Sequence, residues 1–233
     1  MRNLLIFAFF VIAMVMVQFA QAQTADDVID KYLAAMGGKE KLLSLNSARF
    51  TGSMSIQGTD VSITVTKLQM MGSRTDIEVM GTSNYQIVTP TKGMVFMPVQ
   101  GMSAPEEMPE AQFKSGQTQL DIQSALLNYK EKGSTVELLA TEKVDGEDNF
   151  KLKITFRNGL VTNYFIGSKN YRINKTTGKR TINGEEMEVS TSYSNYKQNA
   201  DGYWFSYTNG TIQGEINYDK IETNIKVDES IFK

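Results

Sequence analysis

From Ala48 onward the hydrophobic pattern has a period of two. Phe50, Met54 and Ile56 alternate with Thr51, Ser53 and Ser55, and Val61, Ile63 and Val65 alternate with Ser62, Thr64 and Thr66. Only an extended strand presents successive side chains to opposite faces, so this pattern predicts antiparallel sheet with one wetter face. Further strands are expected at Arg74–Met80, Asn84–Val88 and Gly93–Val99. The second half repeats the theme. Phe150, Leu152, Ile154 and Phe156 alternate with Lys151, Lys153 and Thr155, and Asn158-Gly159 marks a type I′ hairpin turn before Leu160–Ile166. Arg172–Ile182 and Glu186–Tyr196 flank a second Asn-Gly pair at Asn183-Gly184. Tyr203–Tyr207, Thr211–Tyr218 and Ile221–Val227 complete a set of about eleven strands, a mainly β (α+β) reading.

Helices are expected in three places. Val28, Ile29, Tyr32, Leu33 and Met36 fall on one helical face, with Thr24 and Asp27 placed as a capping box and Gly37-Gly38 as the stop. A short second helix fits Glu40 to Leu45. Residues 101–119, broken by Gly101, Pro105, Pro109 and Gly116, predict a mobile loop with one turn of helix. After it, Asp121 is a good N-cap for an amphipathic helix carrying Ile122, Ala125, Leu126 and Tyr129 and stopped by Gly133.

The N-terminus has a different logic. Arg2, the apolar run Leu4 to Val17 and the small residues of Ala20-Gln21-Ala22 form the three-part export pattern, with cleavage expected after Ala22. The run is about 14 residues, short of the roughly 20 that span a bilayer as a helix. Residues 1–22 are thus expected to be a cleaved signal peptide, and 23–233 a single β domain. No cysteine follows the run to carry a lipid anchor, and none is present for disulfides.

The composition removes whole classes of chemistry. With no His and no Cys, Ser-His-Asp and Cys-His nucleophile systems are impossible within this chain, and the commonest transition-metal ligands are missing. Lys+Arg number 24 against 26 Asp+Glu with no basic run, which argues against a nucleic-acid partner. Asp145-Gly146-Glu147-Asp148 lacks the spacing of a calcium loop and reads as a charged hairpin turn. No metal and no cofactor is expected. What remains is an apolar surplus. Strand Gly93–Val99 is apolar on both faces, and Met70, Met71, Met80, Met94, Met97, Met102 and Met108 gather around it and the broken loop. Methionine suits a surface that adapts to irregular apolar ligands, and equally a tolerant core.

Three stretches carry a resemblance. They are Ala25–Leu42 (ADDVIDKYLAAMGGKEKL), Leu126–Gly133 (LLNYKEKG) followed by Val136-Glu-Leu and Val144-Asp-Gly, and Ile225–Phe232 (IKVDESIF). In this order they resemble the periplasmic outer-membrane lipoprotein carrier family, the LolA-like and LolB-like proteins. The resemblance implies a curved, unclosed antiparallel β-barrel with a few helices forming a lid over its concave face, acyl chains bound between, and a periplasmic location. It also implies an early-strand arginine that holds the lid, matched best here by Arg74. The family's tryptophan is replaced by the strand Met94-Val95-Phe96. On this reading Ile77, Val79, Tyr85, Ile87, Met94 and Phe96 share the cavity face, joined by Leu126. The expected occupant is the acyl chains of a lipoprotein or another lipid-like ligand, with envelope membrane proteins as further partners, no catalysis, and a monomeric state. The alternatives are an envelope interaction module of the same fold without a ligand, and a carboxylate-based hydrolase.

Overall fold

Residues 23–56, 58–182 and 185–233 are described by a computed structural model. Residues 1–22 and the expected Asn183-Gly184 turn lie outside the described residues. Helix α1 (Ala25–Ala35) begins as its sequence dictates: Asp27 N–H donates to Thr24 Oγ1 at 3.1 Å, and Thr24 N–H donates back to the Asp27 carboxylate at 2.9 Å. Helix α2 (Lys39–Leu43) follows and stops two residues short of the expected end.

The strands are β1 (Ser47–Ile56), β2 (Thr59–Leu68), β3 (Gly72–Val79), β4 (Thr82–Val88), β5 (Gly93–Phe96), β6 (Glu106–Glu107), β7 (Thr135–Leu138), β8 (Glu142–Val144), β9 (Glu147–Thr155), β10 (Val161–Gly167), β11 (Ile173–Ile182), β12 (Glu185–Gln198), β13 (Trp204–Thr211) and β14 (Gly214–Thr223). They form one 14-stranded antiparallel sheet in the order β6-β5-β4-β3-β2-β1-β14-β13-β12-β11-β10-β9-β7, with β8 attached to β9. The first half meanders outward from β1 and the second half meanders back to β14. The first and last strands therefore pair at the centre, Ala48 opposite Thr223. β6 and β7 stay at the two ends of the order, so the sheet does not close into a barrel. It curls nonetheless: Asn84 of β4 and Thr176 of β11, far apart in the order, line the same cavity.

The count differs from the expected eleven strands for identifiable reasons. β6, β7 and β8 are short and held by pairing rather than pattern. Thr211–Tyr218 and Ile221–Val227, expected as two strands, are largely one. Asp219 is an extra residue at the bulge where the β1–β14 register shifts, so the apolar phase changes from Ile216 and Tyr218 to Ile221 without a turn. On the facing strand, a Cβ at Gly52 would collide with the backbone of Asn217 and Tyr218. Only glycine lets the strands approach there.

Two further expectations are corrected. The helix expected from Asp121 does not form. Ser124 and Asn128 take φ values of 112° and 51°, which interrupt a right-handed helix, and the Asp121 carboxylate binds Gln69 and Lys132. The 101–119 segment instead holds helix α3 (Glu110–Gln117), two turns rather than one. β5 ends at Phe96 because a 3₁₀ turn starts at Pro98, so the strand does not reach Val99.

The helices cover the concave face. Val28, Ile29, Tyr32 and Leu33 of α1 pack with Leu126 and Leu127 onto Leu152, Ile154 and Ile166. On the other flank Met108 and Leu120, with Phe113 of α3, pack onto Val88, Val95 and Met97. α3 contacts both β4 and β11 and so bridges the two flanks. Close approach needs glycine here too, since a Cβ at Gly116 would press on Val88.

Candidate functional site

The cavity follows from hairpin arithmetic. β3 and β4 are joined by the two-residue turn Met80-Gly81, with Val79 opposite Thr82. Odd positions of β3 therefore share a face with even positions of β4: Ile77 opposite Asn84, Thr75 opposite Gln86. The next hairpin switches again, setting Gln86 opposite Val95. The concave face thus carries Ile77, Val79, Asn84, Gln86, Val95 and Met97.

Of the residues expected to share the cavity face, Ile77 and Val79 line the cavity. Tyr85, Ile87, Met94 and Phe96 do not; their pairing with Asp76 and Arg74 sets them on the opposite, convex face. Leu126 is buried beneath α1 and is absent from the lining of the cavity between sheet and cover. Arg74 also faces away from the cavity. Its Nε donates to Asp76 at 2.8 Å, its Nη1 donates to the Ile231 carbonyl at 3.2 Å, and its guanidinium lies 4.5 Å from the Tyr85 ring centre. It fastens the C-terminal 3₁₀ turn Glu229–Phe232 to the convex face, where the Phe232 ring sits over Gly72. The lid contact expected of Arg74 is a tail contact.

Between sheet and cover lies a cavity of ≈ 1210 Å³, beside a smaller one of ≈ 220 Å³ that shares Tyr32, Phe50, Asp121, Ser124, Tyr193 and Tyr196 in its lining. Its two walls differ. The wall from β1, β2, β3 and β14 is apolar: Met54, Val61, Ile63, Ile77, Val79 and Ile216 form one cluster. The wall from β10 to β13 is rich in hydroxyls, among them Thr162, Tyr164, Thr176, Thr191, Tyr193 and Tyr196. Burial raises the hydroxyl pKa of Tyr32 to about 12 and shifts Tyr164, Tyr193 and Tyr196 upward, so all stay neutral donors at physiological pH.

Three charged side chains line the cavity: Lys67, Asp121 and Arg180. Asp121 is paired with Lys132 at 2.6 Å. Lys67 Nζ donates to the Gln119 carbonyl at 3.1 Å, and burial pulls its pKa down to about 8 against the opposing pull of Asp121. Arg180 donates to Ser115 Oγ at 3.1 Å and to Thr162 Oγ1 at 3.0 Å. The sequence carried a signal for Lys67, which continues the phase of Val61, Ile63 and Val65 where an apolar residue belongs. Arg180 likewise continues the phase of Thr176 and Gly178. The hydroxyl wall carried none, since threonine alternation is what any wet strand face offers.

The Asp145–Asp148 stretch is the tight β8–β9 turn, with Asp145 and Gly146 at φ values of 51° and 82°. Among the described residues no group of three or more His, Cys, Asp or Glu is arranged to hold a metal ion, and no helix is long and apolar enough to cross a membrane.

This sheet and its cover recur in solved structures. An outer membrane lipoprotein-sorting protein domain from Vibrio parahaemolyticus superposes with a TM-score of 0.54 at 17% identity, over 88% of this chain and 94% of that one. A LolA superfamily protein from Nitrosomonas europaea gives 0.57 at 16% identity, over 91% and 98%. The chain has a LolA-like fold. A DUF1329 family protein from Desulfovibrio piger shares this LolA-like arrangement at a TM-score of 0.58 and 11% identity, over 91% and 98%. No family model matches the sequence, and comparison with curated proteins gives no match. At these identities the likeness is one of fold.

Proposed function

We propose that this chain is a binding or carrier protein of the bacterial envelope that holds the acyl chains of a lipoprotein, or of another lipid-like molecule, between its sheet and its helical cover. One observation carries the reading: a cavity of ≈ 1210 Å³ with a continuous apolar wall on one side. A volume of this order is that of a ligand site rather than of packing voids, which in protein interiors rarely exceed a water molecule. Burying a chain there removes methylenes from water at ~0.8 kcal/mol each. The Vibrio neighbour, a lipoprotein-sorting protein domain, supports the same class of cargo. The export pattern of residues 1–22 supports delivery across the inner membrane, with one periplasmic domain from Gln23 to Lys233. The apolar wall would contact the chains through Ile63, Ile77 and Val79. No step of catalysis is part of the proposal, and envelope membrane proteins are the natural donors and acceptors of such a cargo.

Organic extraction of the purified, exported protein followed by mass spectrometry tests this reading. Recovery of a stoichiometric lipid or acylated peptide is the expected result. A protein that yields no lipid and binds no apolar fluorescent probe after delipidation would be an interaction module of the same fold.

A further inference from the structure

The cavity of a carrier for purely apolar cargo has no need of charge, yet two cations reach into this one from opposite flanks. Lys67 comes from β2 and Arg180 from β11. Their hydrogen-bond partners in the cover are the Gln119 carbonyl and the Ser115 hydroxyl, four residues apart, about one helical turn. Among the described residues neither cation has a carboxylate partner of its own. The acidic side chain on the lining, Asp121, is in contact with Lys132. The four groups together leave an excess of two positive charges inside a chain whose formal net charge is −2. Donors also remain to be used. The Lys67 ammonium spends one of its three protons on Gln119, and Arg180 Nη2 spends one of two on Thr162. Around them stand the neutral hydroxyls of Tyr164 and Tyr193, further donors to an anion.

We propose that the cavity takes an amphiphile with an anionic head, its carboxylate or phosphate held within reach of Lys67 and Arg180 beneath α3 and its chain laid along the apolar wall of β1, β2 and β3. This rests on the carrier reading above and adds the charge of the cargo. The arrangement matches polarity to polarity: Arg180 and the hydroxyls on the β10–β13 side, Lys67 of β2 against the cover at Gln119, and hydrocarbon along the rest of the β1–β3 wall. A part-buried cation with no counter-ion has lost hydration, and an anionic head supplies the missing partner through charge-assisted hydrogen bonds.

The test compares a fluorescent long-chain fatty acid with its methyl ester, which keeps the chain and deletes the charge. The delipidated wild-type protein should bind the acid at least about ten-fold tighter. In the double variant Lys67→Met, Arg180→Met that ratio should fall to about two-fold or less. A second pair, Lys67→Gln and Arg180→Gln, keeps hydrogen-bonding groups facing Gln119 and Ser115 while removing the charge, and should lose the ratio equally. If the glutamine pair keeps the preference for the acid, the cations are braces for α3 and the proposal is overturned. Equal binding of acid and ester by the wild type overturns it as well, while leaving the carrier reading intact. Binding of neither would instead overturn the carrier reading. Inorganic phosphate in the millimolar range should not displace the acid, because a head without a chain gains nothing from the apolar wall. Displacement would assign a free-anion site and sink the amphiphile.

Discussion

The two faces of β3, β4 and β5 are alike in composition and opposite in use. The concave face presents Ile77, Val79, Val95 and Met97 to the cavity and its cover, whereas the convex face presents Tyr85, Ile87, Met94 and Phe96 beside Arg74, which ties the C-terminal turn to β3. One face is covered by helices across a void; on the other the C-terminal turn packs onto β3, and Tyr85, Met94 and Phe96 of β4 and β5 stay half-buried. Hydrophobicity alone therefore cannot say which face is the site. What decides is the parity of pairing across two tight hairpins, and substitutions on the two faces should separate accordingly.

The largest separation is expected in ligand binding. Ile63→Glu places a charge in the apolar wall and should weaken an apolar probe by at least about ten-fold, as the carboxylate must be desolvated when the probe enters. Phe96→Glu, on the convex face, should change probe affinity by less than about two-fold. Titrations of one probe into both variants measure this, and the reverse ranking would mean that the two faces have been assigned the wrong way round. Next in size is the tail. Phe232→Ala removes the ring that sits over Gly72 and should cost about 3 kcal/mol in urea unfolding, with probe binding retained.

A smaller effect concerns Lys67. Its folded pKa of about 8 lies below the ordinary 10.5, so between those values the unfolded chain holds the proton and the folded chain does not. The resulting penalty is fully present below about pH 8 and fades as the pH rises toward 10.5. Lys67→Met should accordingly stabilise the empty protein by about 1–2 kcal/mol at pH 7, after discounting for its partial exposure, and the gain should shrink in alkaline buffer. Thermal melts of both proteins across that range check it. The smallest effect is expected at Arg74. Arg74→Leu loses the charge-assisted bonds to Asp76 and to the Ile231 carbonyl, both part-exposed, and should cost about 1 kcal/mol, with ligand binding and release unaltered. A change in release rate would restore the lid role that the resemblance implied.

Legibility in the sequence followed the range of the interactions involved. Helix α1 was readable because its start is a contact between Thr24 and Asp27 and its face a spacing within eleven residues. The strands were readable wherever alternation was unbroken. Reading failed where a tertiary contact outweighs the local signal. α3 carries Gly116 and a single large apolar residue, Phe113, and is held by β4 and β11 rather than by its own propensity. The stretch after Asp121 has a helical spacing, yet it is pulled out of a helix by Gln69, which accepts from Ile122 N–H at 2.7 Å. The cavity lining was only partly legible, for a geometric reason. Ile77 and Val79 line the cavity whereas Tyr85, Ile87, Met94 and Phe96 lie on the other face, because each turn with an even number of residues exchanges odd for even.

The pairing of β1 with β14 has a consequence for how the chain folds. Each flank is a meander of neighbouring hairpins that can form early from nearby residues. The ladder that joins them closes a loop of about three quarters of the chain, from Ala48 to Thr223, and such non-local pairing is entropically slow. The apolar wall itself spans that ladder, through Met54 of β1 paired with Ile216 of β14. A chain that still lacks its last strand has two half-sheets that no ladder joins, so the cavity is completed only when β14 pairs with β1.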